Sequence, residues 1–275
     1  MHTIETALFY IETQLRNNLD LAKVAGHCEL SPFALARAFA LATGWPVVRY
    51  IRARRLSQAA LALGQGAPDI LQVALDSGYS SHEAFTRAFS ELFGVNPRQV
   101  REQGHAQLNL VEPLRMKTPD FITLAEPRFE TRPAFNIAGM GGRFTVDNNE
   151  GIVGLWQTFV PYIGRVPNQL GGQTYGLCCN PLEDGSFEYI AGAEVSRTDG
   201  LPPAFRHFKV AEQRYAVFRH LGHVSTLHQT FRTIFNQWLP QSGYTLADAP
   251  EFEQYTADFD PGQGTGFVEV WVPLA

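Results

Sequence analysis

Two stretches of this chain spell one pattern about fifty residues apart, and that duplication limits the fold more than any other feature. The clearer copy, Ile70 to Arg101, reads ILQVALDSGYSSHEAFTRAFSELFGVNPRQVR. Ile70, Val73 and Ala74 share one side of a short helix that runs to Asp76. Gly78 ends it, because a residue without Cβ takes the left-handed conformation a helix C-terminus favours. Ser80 and Ser81 are placed to cap the next helix. There Phe85, Ala88, Phe89 and Leu92 form an apolar stripe at steps of three and four. His82, Glu83, Thr86, Arg87 and Ser90 occupy the opposite side. A short helix, a tight turn and a second helix with a donor-rich outer face make a helix-turn-helix. That outer face suits the base edges of a major groove.

The earlier copy runs from Leu21 to Gly44: Val24-Ala25 answers to Val73-Ala74, and Arg37-Ala38-Phe39 to Arg87-Ala88-Phe89. Ser31-Pro32 opens its second helix, with Pro at the first helical position, where a missing N–H costs nothing. Leu35, Ala38, Phe39 and Ala42 face inward, and Phe33, Ala36, Arg37 and Ala40 outward. An amphipathic helix over Thr3–Asn18 precedes the pair. A helix from Val47 to Leu63 joins its members, and its Arg49, Arg52, Arg54 and Arg55 suit phosphate contact or internal ion pairing. The net charge of −5 argues against a broad polybasic binder. The acidity lies behind residue 105, whereas the first 105 residues hold ten Lys and Arg against nine Asp and Glu. A module with a few placed arginines fits that balance.

The segments L-A-R-A-F-x4-G-W-P-V-V-R-Y-I-R-A-R-R-L (Leu35 to Leu56) and I-x2-V-A-x3-G-Y-x5-F-T-R-A-F-x3-F-G-V-N-P-R-Q-V-R (Ile70 to Arg101) resemble the DNA-binding domain of AraC/XylS regulators. The resemblance covers nearly all of residues 1–104 and implies one recognition helix per half. Carried over by position, Phe33, Ala36 and Arg37 contact DNA in the first half, and Ser81, His82, Glu83, Thr86 and Arg87 in the second. The chain departs from the pattern at Ala36, where relatives often carry a longer polar reader, so Phe33 and Arg37 become the first helix's main contacts.

Residues 105–119 are polar with two prolines and read as a linker. Beyond them the texture changes to alternation and glycine. Phe129–Gly139 reads as a strand, Ile152–Ile163 as a helix, and Thr174–Asn180 and Phe187–Val195 as strands. The series then repeats: Phe205–Arg219 with a bend at Ala211–Arg214, a helix over Val224–Leu239, and strands over Phe252–Asp258 and Gly266–Val272. The expected fold is therefore multidomain: an N-terminal all-α double helix-turn-helix domain over 1–104, and a C-terminal α+β domain over 120–275. The latter consists of two β-α-β-β repeats with an antiparallel sheet. Paired halves leave a central cleft, the default place for a ligand.

Phe135 to Gly139, Y-A-V-F-R-H-L-G from Tyr215, W-L-P-Q-S-G from Trp238, F-E-Q-Y from Phe252 and V-W-V-P-L from Val270 resemble the gyrase-inhibitor-like effector domain. In relatives that bind drugs, the Glu of the F-E-x-Y element pairs with cationic, apolar ligands in an aromatic pocket; here it is Glu253. A carboxylate among aromatic walls attracts a cation by charge and by cation–π contact. Candidate walls are Trp156, Phe159, Tyr189, Tyr255 and Trp271.

Other signals point nowhere. Gly139-Met140-Gly141-Gly142 lacks the third glycine of a dinucleotide fingerprint, since position 144 is Phe. His220, His223 and His228 lack a ligand pattern for a metal. Cys28, Cys178 and Cys179 have no C-x-x-C spacing and no disulfide framework. No catalytic residue, cofactor or metal is expected. No apolar run of membrane-spanning length exists, and the N-terminus lacks a signal peptide's apolar core. A cytoplasmic transcription regulator is expected. Its expected partners are a double-stranded DNA operator, a small hydrophobic or cationic effector and RNA polymerase. The alternatives are a C-terminal hydrolase-like enzyme using Glu253 and Tyr189, and a C-terminal protein-interaction module.

Overall fold

The computed structural model describes residues 3–67, 69–114, 121–145, 150–182, 184–261 and 263–275. The chain forms two compact units, residues 1–32 with 47–117 and residues 33–46 with 118–275.

In chain order the helical elements are α1 (Thr3–Gln14), α2 (Leu21–His27), α3 (Pro32–Thr43), α4 (Val47–Gly64), α5 (Ile70–Asp76), α6 (His82–Phe93) and α7 (Pro97–Gln103). Their ends carry the local chemistry that stops and starts helices. Asp20 caps α2 by accepting from the Lys23 N–H, and Ser81 caps α6 by accepting from the Ala84 N–H. Gly94 closes α6 at φ 71°, where any side chain would be strained. Asn96 and Gln99 form a reciprocal capping box on α7, with Pro97 at its start.

The core of the first unit is built on α4. Leu56, Ala60 and Leu63 pack with Val73, Ala74, Phe85, Phe89 and Val100. Phe85 and Phe89 are wholly buried, so truncating either to Ala would cost about 3–5 kcal/mol. The α4 arginines are partly structural. Arg54 makes two aligned hydrogen bonds to Glu12, at 2.9 and 2.8 Å, and Arg55 donates to the Leu15 and Asn17 carbonyls.

The expected linker is not free along its first part. Leu108 and Leu110 join the α4 core, the Val111 N–H donates to Ser57 Oγ at 2.9 Å, and the Leu114 N–H donates to the Tyr50 hydroxyl at 3.0 Å. Polar composition suggests a spacer, but buried acceptors on α4 satisfy its backbone. Residues 115–119 of that stretch lie outside the described residues.

The second unit holds α3 and an eight-stranded antiparallel sheet. Its strands are β1 (Arg128–Arg132), β2 (Phe135–Phe144), β3 (Gln169–Cys179), β4 (Phe187–Val195), β5 (Phe205–Val210), β6 (Gln213–His220), β7 (Glu251–Tyr255) and β8 (Val268–Leu274). Helix α8 (Gly151–Phe159) lies between β2 and β3, and α9 (Leu227–Thr233) between β6 and β7. A π turn over Ile234–Trp238 and a last helical turn, α10 (Leu239–Ser242), extend α9. The expected single helix over Val224–Leu239 is thus one helix with a widened turn, a feature that often marks functional sites. The expected strand Phe129–Gly139 is split at Pro133-Ala134, because proline cannot donate to a ladder.

The sheet order is β1-β6-β8-β7-β3-β4-β2-β5. Exchanging each strand for its counterpart in the other repeat and reversing the order returns the same order. The two repeats are therefore related by an approximate twofold between β7 and β3, and each lends its first strand to the far edge of the other. On one face Phe135, Tyr175, Tyr215, Phe252 and Trp271 form an aromatic core. Arg132 closes that core with a 2.8 Å pair to Glu194 and a guanidinium 4.0 Å from the Phe135 ring centroid. On the other face Cys178, Tyr189, Ala191 and Ala193 pack with Phe159 and Trp156 of α8. Among the described residues, no helix is long and apolar enough to cross a membrane.

Candidate functional site

The central strand β7 alternates strictly. Phe252 points into the aromatic core, so Glu251, Glu253 and Tyr255 point to the helix-bearing face. Both carboxylates are nearly inaccessible, at 1% and 9% exposure. One oxygen of Glu253 accepts from the Tyr189 hydroxyl at 2.7 Å and from the Tyr255 hydroxyl at 2.8 Å. Trp156 Nε1 donates to the Tyr189 oxygen at 3.0 Å, and its ring packs edge-on against Tyr255. This cluster requires Gly176, which lies opposite Glu253 in the β3–β7 register. A Cβ there would overlap the Tyr189 hydroxyl and the Glu253 carboxylate. Burial pushes the Glu253 carboxyl upward, against the two tyrosine hydrogen bonds and the charge of Arg37. Burial also drives both tyrosine hydroxyls well above their ordinary value, so at neutral pH they remain donors.

Glu251 is approached from α3. Arg37 Nε lies 2.6 Å from the carboxylate, and that arginine side chain is only 14% exposed. Its guanidinium stands 5.7, 5.2 and 5.9 Å from the ring centroids of Phe187, Phe231 and Phe235. Burial pushes Glu251 up, partly opposed by Arg37; burial pulls Arg37 down, but Glu251 more than offsets it. Beside the pair opens a cleft of ≈ 210 Å³, lined by residues that include Arg37, Tyr189, His228, Phe231 and Glu253. The cleft can therefore hold a cation against the buried Glu253 carboxylate and the rings of Phe187, Tyr189 and Phe231.

Of the ligand residues read from sequence, the fold brings Trp156, Tyr189, Glu253 and Tyr255 into one cluster, and of these Tyr189 and Glu253 line the cleft. Phe159 is not a wall: it is wholly buried against Phe205 and the α8 core, one layer behind Trp156. Trp271 lies on the opposite face, because it pairs with Phe252 across β7–β8 while Val270 pairs with Glu253. Sequence reading missed Glu251, Gly176, Cys178 and Phe187. Glu251 was within reach, since it stands two residues before Glu253 and so shares its face.

The two helices expected to read DNA differ. On α6 the His82, Glu83 and Arg87 side chains are exposed, Thr86 is half-buried, and Ser81 serves as N-cap. On α3 Phe33, Ala36 and Arg37 are half-buried, and Ala40, expected to face out, is buried. These four α3 residues line a narrow recess with Cys178, Cys179 and Leu182. Residues 33–46, with most of α3, belong to the unit of the sheet. Buried His220 is bonded to Thr230 at 2.8 Å, and the described residues contain no group of three suited to a metal.

A family profile described as a GyrI-like small molecule binding domain matches residues 125–275, and one described as a helix-turn-helix domain matches residues 24–103. The transcriptional regulator Rob of Salmonella typhimurium is 25% identical over 274 residues, covering 95% of this chain and 92% of that protein. The transcriptional regulator BrlR of Pseudomonas aeruginosa is 30% identical over 149 residues, 54% of each. Among solved structures, a bacterial transcription regulation protein of Staphylococcus aureus aligns with a TM-score of 0.44 at 21% identity, over 54% of this chain and 97% of that one. The chain belongs to the GyrI-like family and is an AraC-type DNA-binding transcription regulator with a small-molecule binding domain.

Proposed function

We propose that the effector of this regulator is a lipophilic cation bound at Glu253 among the rings that line the cleft. The buried Glu253 carboxylate carries the reading: it is held by two tyrosine hydroxyls at 2.7 and 2.8 Å beside an open cleft. A buried carboxylate costs several kcal/mol unless a cation compensates it, and a delocalised cation suits aromatic walls. This reading favours binding over hydrolysis, since both tyrosine hydroxyls donate to one carboxylate oxygen and burial keeps them from the ionised form that a nucleophile needs. The DNA-facing residues are His82, Glu83, Thr86 and Arg87 of α6, with Phe33, Ala36 and Arg37 of α3 when that face is free. The regulator acts in the cytoplasm and transmits effector binding to RNA polymerase at a promoter operator; its three cysteines are free, in keeping with a reducing compartment.

Thermal unfolding of the full chain with tetraphenylphosphonium and with neutral triphenylphosphine oxide tests this. The cation should raise the melting temperature of the wild type and leave Glu253→Gln unmoved. An equal rise with the neutral compound would remove charge recognition from the site.

A further inference from the structure

The Arg37–Glu251 pair is an anomaly. The sequence places Arg37 on the outward face of a DNA-reading helix, yet its guanidinium is held at a buried carboxylate beneath three phenylalanine rings. We propose that Arg37 is a built-in ligand of the effector site. A cationic effector entering the cleft at Glu253 competes with Arg37, which lines the cleft from its pairing with Glu251, and effector binding frees the reading face of α3. This rests on the reading that the cleft takes a cation.

Three observations carry it. The chemistry of the occupant is that of the effector, a delocalised cation among aromatic faces. The rings are shared as well: Phe187 and Phe231, whose centroids stand 5.7 and 5.2 Å from the Arg37 guanidinium, also line the cleft. Finally, Arg37 lies along the wall of the cleft that reaches Glu253. A cation entering there meets a like charge at close range unless Arg37 withdraws.

With Arg37 held at Glu251, Phe33, Ala36 and Arg37 are turned to the sheet and not to DNA. Competition is reciprocal: a cation that displaces α3 favours DNA reading, and DNA that captures α3 tightens the cation site by the same factor. The chemical class follows from the occupant. The effector carries one delocalised positive charge, guanidinium-like or phosphonium-like, on an apolar frame small enough for the cleft.

Calorimetric titration of the full-length wild type and Arg37→Gln with tetraphenylphosphonium tests the competition. Hydrogen exchange of Pro32–Thr43 is followed alongside, with and without the cation. Arg37→Gln should bind at least about tenfold tighter, because no internal competitor has to leave. In the wild type the cation should speed exchange in α3. Equal affinities with unchanged α3 exchange would overturn the competition and leave the effector reading standing. Binding to neither protein would overturn both. If Arg37→Gln does not fold, the wild-type exchange decides: faster exchange in α3 supports competition, and unchanged or slower exchange removes it.

Discussion

Helices α3 and α6 are twins by sequence and opposites by environment. Both follow a short helix, both carry Arg-Ala-Phe at the same place, and both are followed by a glycine at positive φ, Gly44 and Gly94. Yet Arg87 is exposed, whereas Arg37 is paired with Glu251 inside an aromatic cleft. Helix patterning sets which side of each helix can face outward. It does not set what that side meets. The apolar character of Phe33, Ala36 and Ala40 lets α3 pack on protein. The polar face of α6, with His82, Glu83 and Arg87, keeps it in solvent.

The largest expected difference is in stability. Arg37→Ala leaves Glu251 buried without its cation and should destabilise the fold on the order of 3 kcal/mol. Arg87→Ala should stay within about 0.5 kcal/mol. Urea unfolding of the two variants compares them, and equal costs would mean that the ion pair contributes nothing to the fold. Next comes DNA. Against a duplex selected from random sequence without effector, Arg87→Ala should weaken binding by about 1–3 kcal/mol. Arg37→Ala should weaken it far less. A matching loss in both would show that α3 reads DNA without any release.

The smallest effect is in pH. Burial holds Glu251 and Glu253 above the usual carboxylate range, although Arg37 opposes it. Their protonated forms are favoured on folding, so their contribution to stability is present at low pH and lost as pH rises through their folded values. Glu12 is the reverse. Burial pushes it up, but the hydrogen bonds from Arg54 and Tyr50 outweigh burial and hold it low. Its contribution is present above the ordinary range and lost as pH falls through its folded value. Glu12→Gln should therefore cost more at pH 7 than at pH 4, by about 1 kcal/mol or less. Relative to wild type, Glu253→Gln should be more favourable at pH 7 than at pH 4. Denaturation series at the two pH values settle both signs, and parallel shifts would contradict the contrast.

Much of the molecule is local chemistry and legible as such. Caps at Asp20, Ser81 and Asn96, the proline at the start of α7 and the three-and-four spacing of Phe85 and Phe89 fix the helices without reference to anything distant. Alternation located β4 at Phe187–Val195 to the residue, and the F-E-x-Y element singled out Glu253. Alternation also says that Glu251, Glu253 and Tyr255 share a face. It does not say that this face is the cleft, nor that Trp271 joins the other one. That follows from the pairing of Phe252 with Trp271 and of Gly176 with Glu253, contacts between strands far apart in the chain. The partner of Arg37 lies beyond sequence for the same reason. A side chain's exposure is a property of whatever surface comes to meet it, and only the packed chain brings Glu251 and three phenylalanine rings to that arginine.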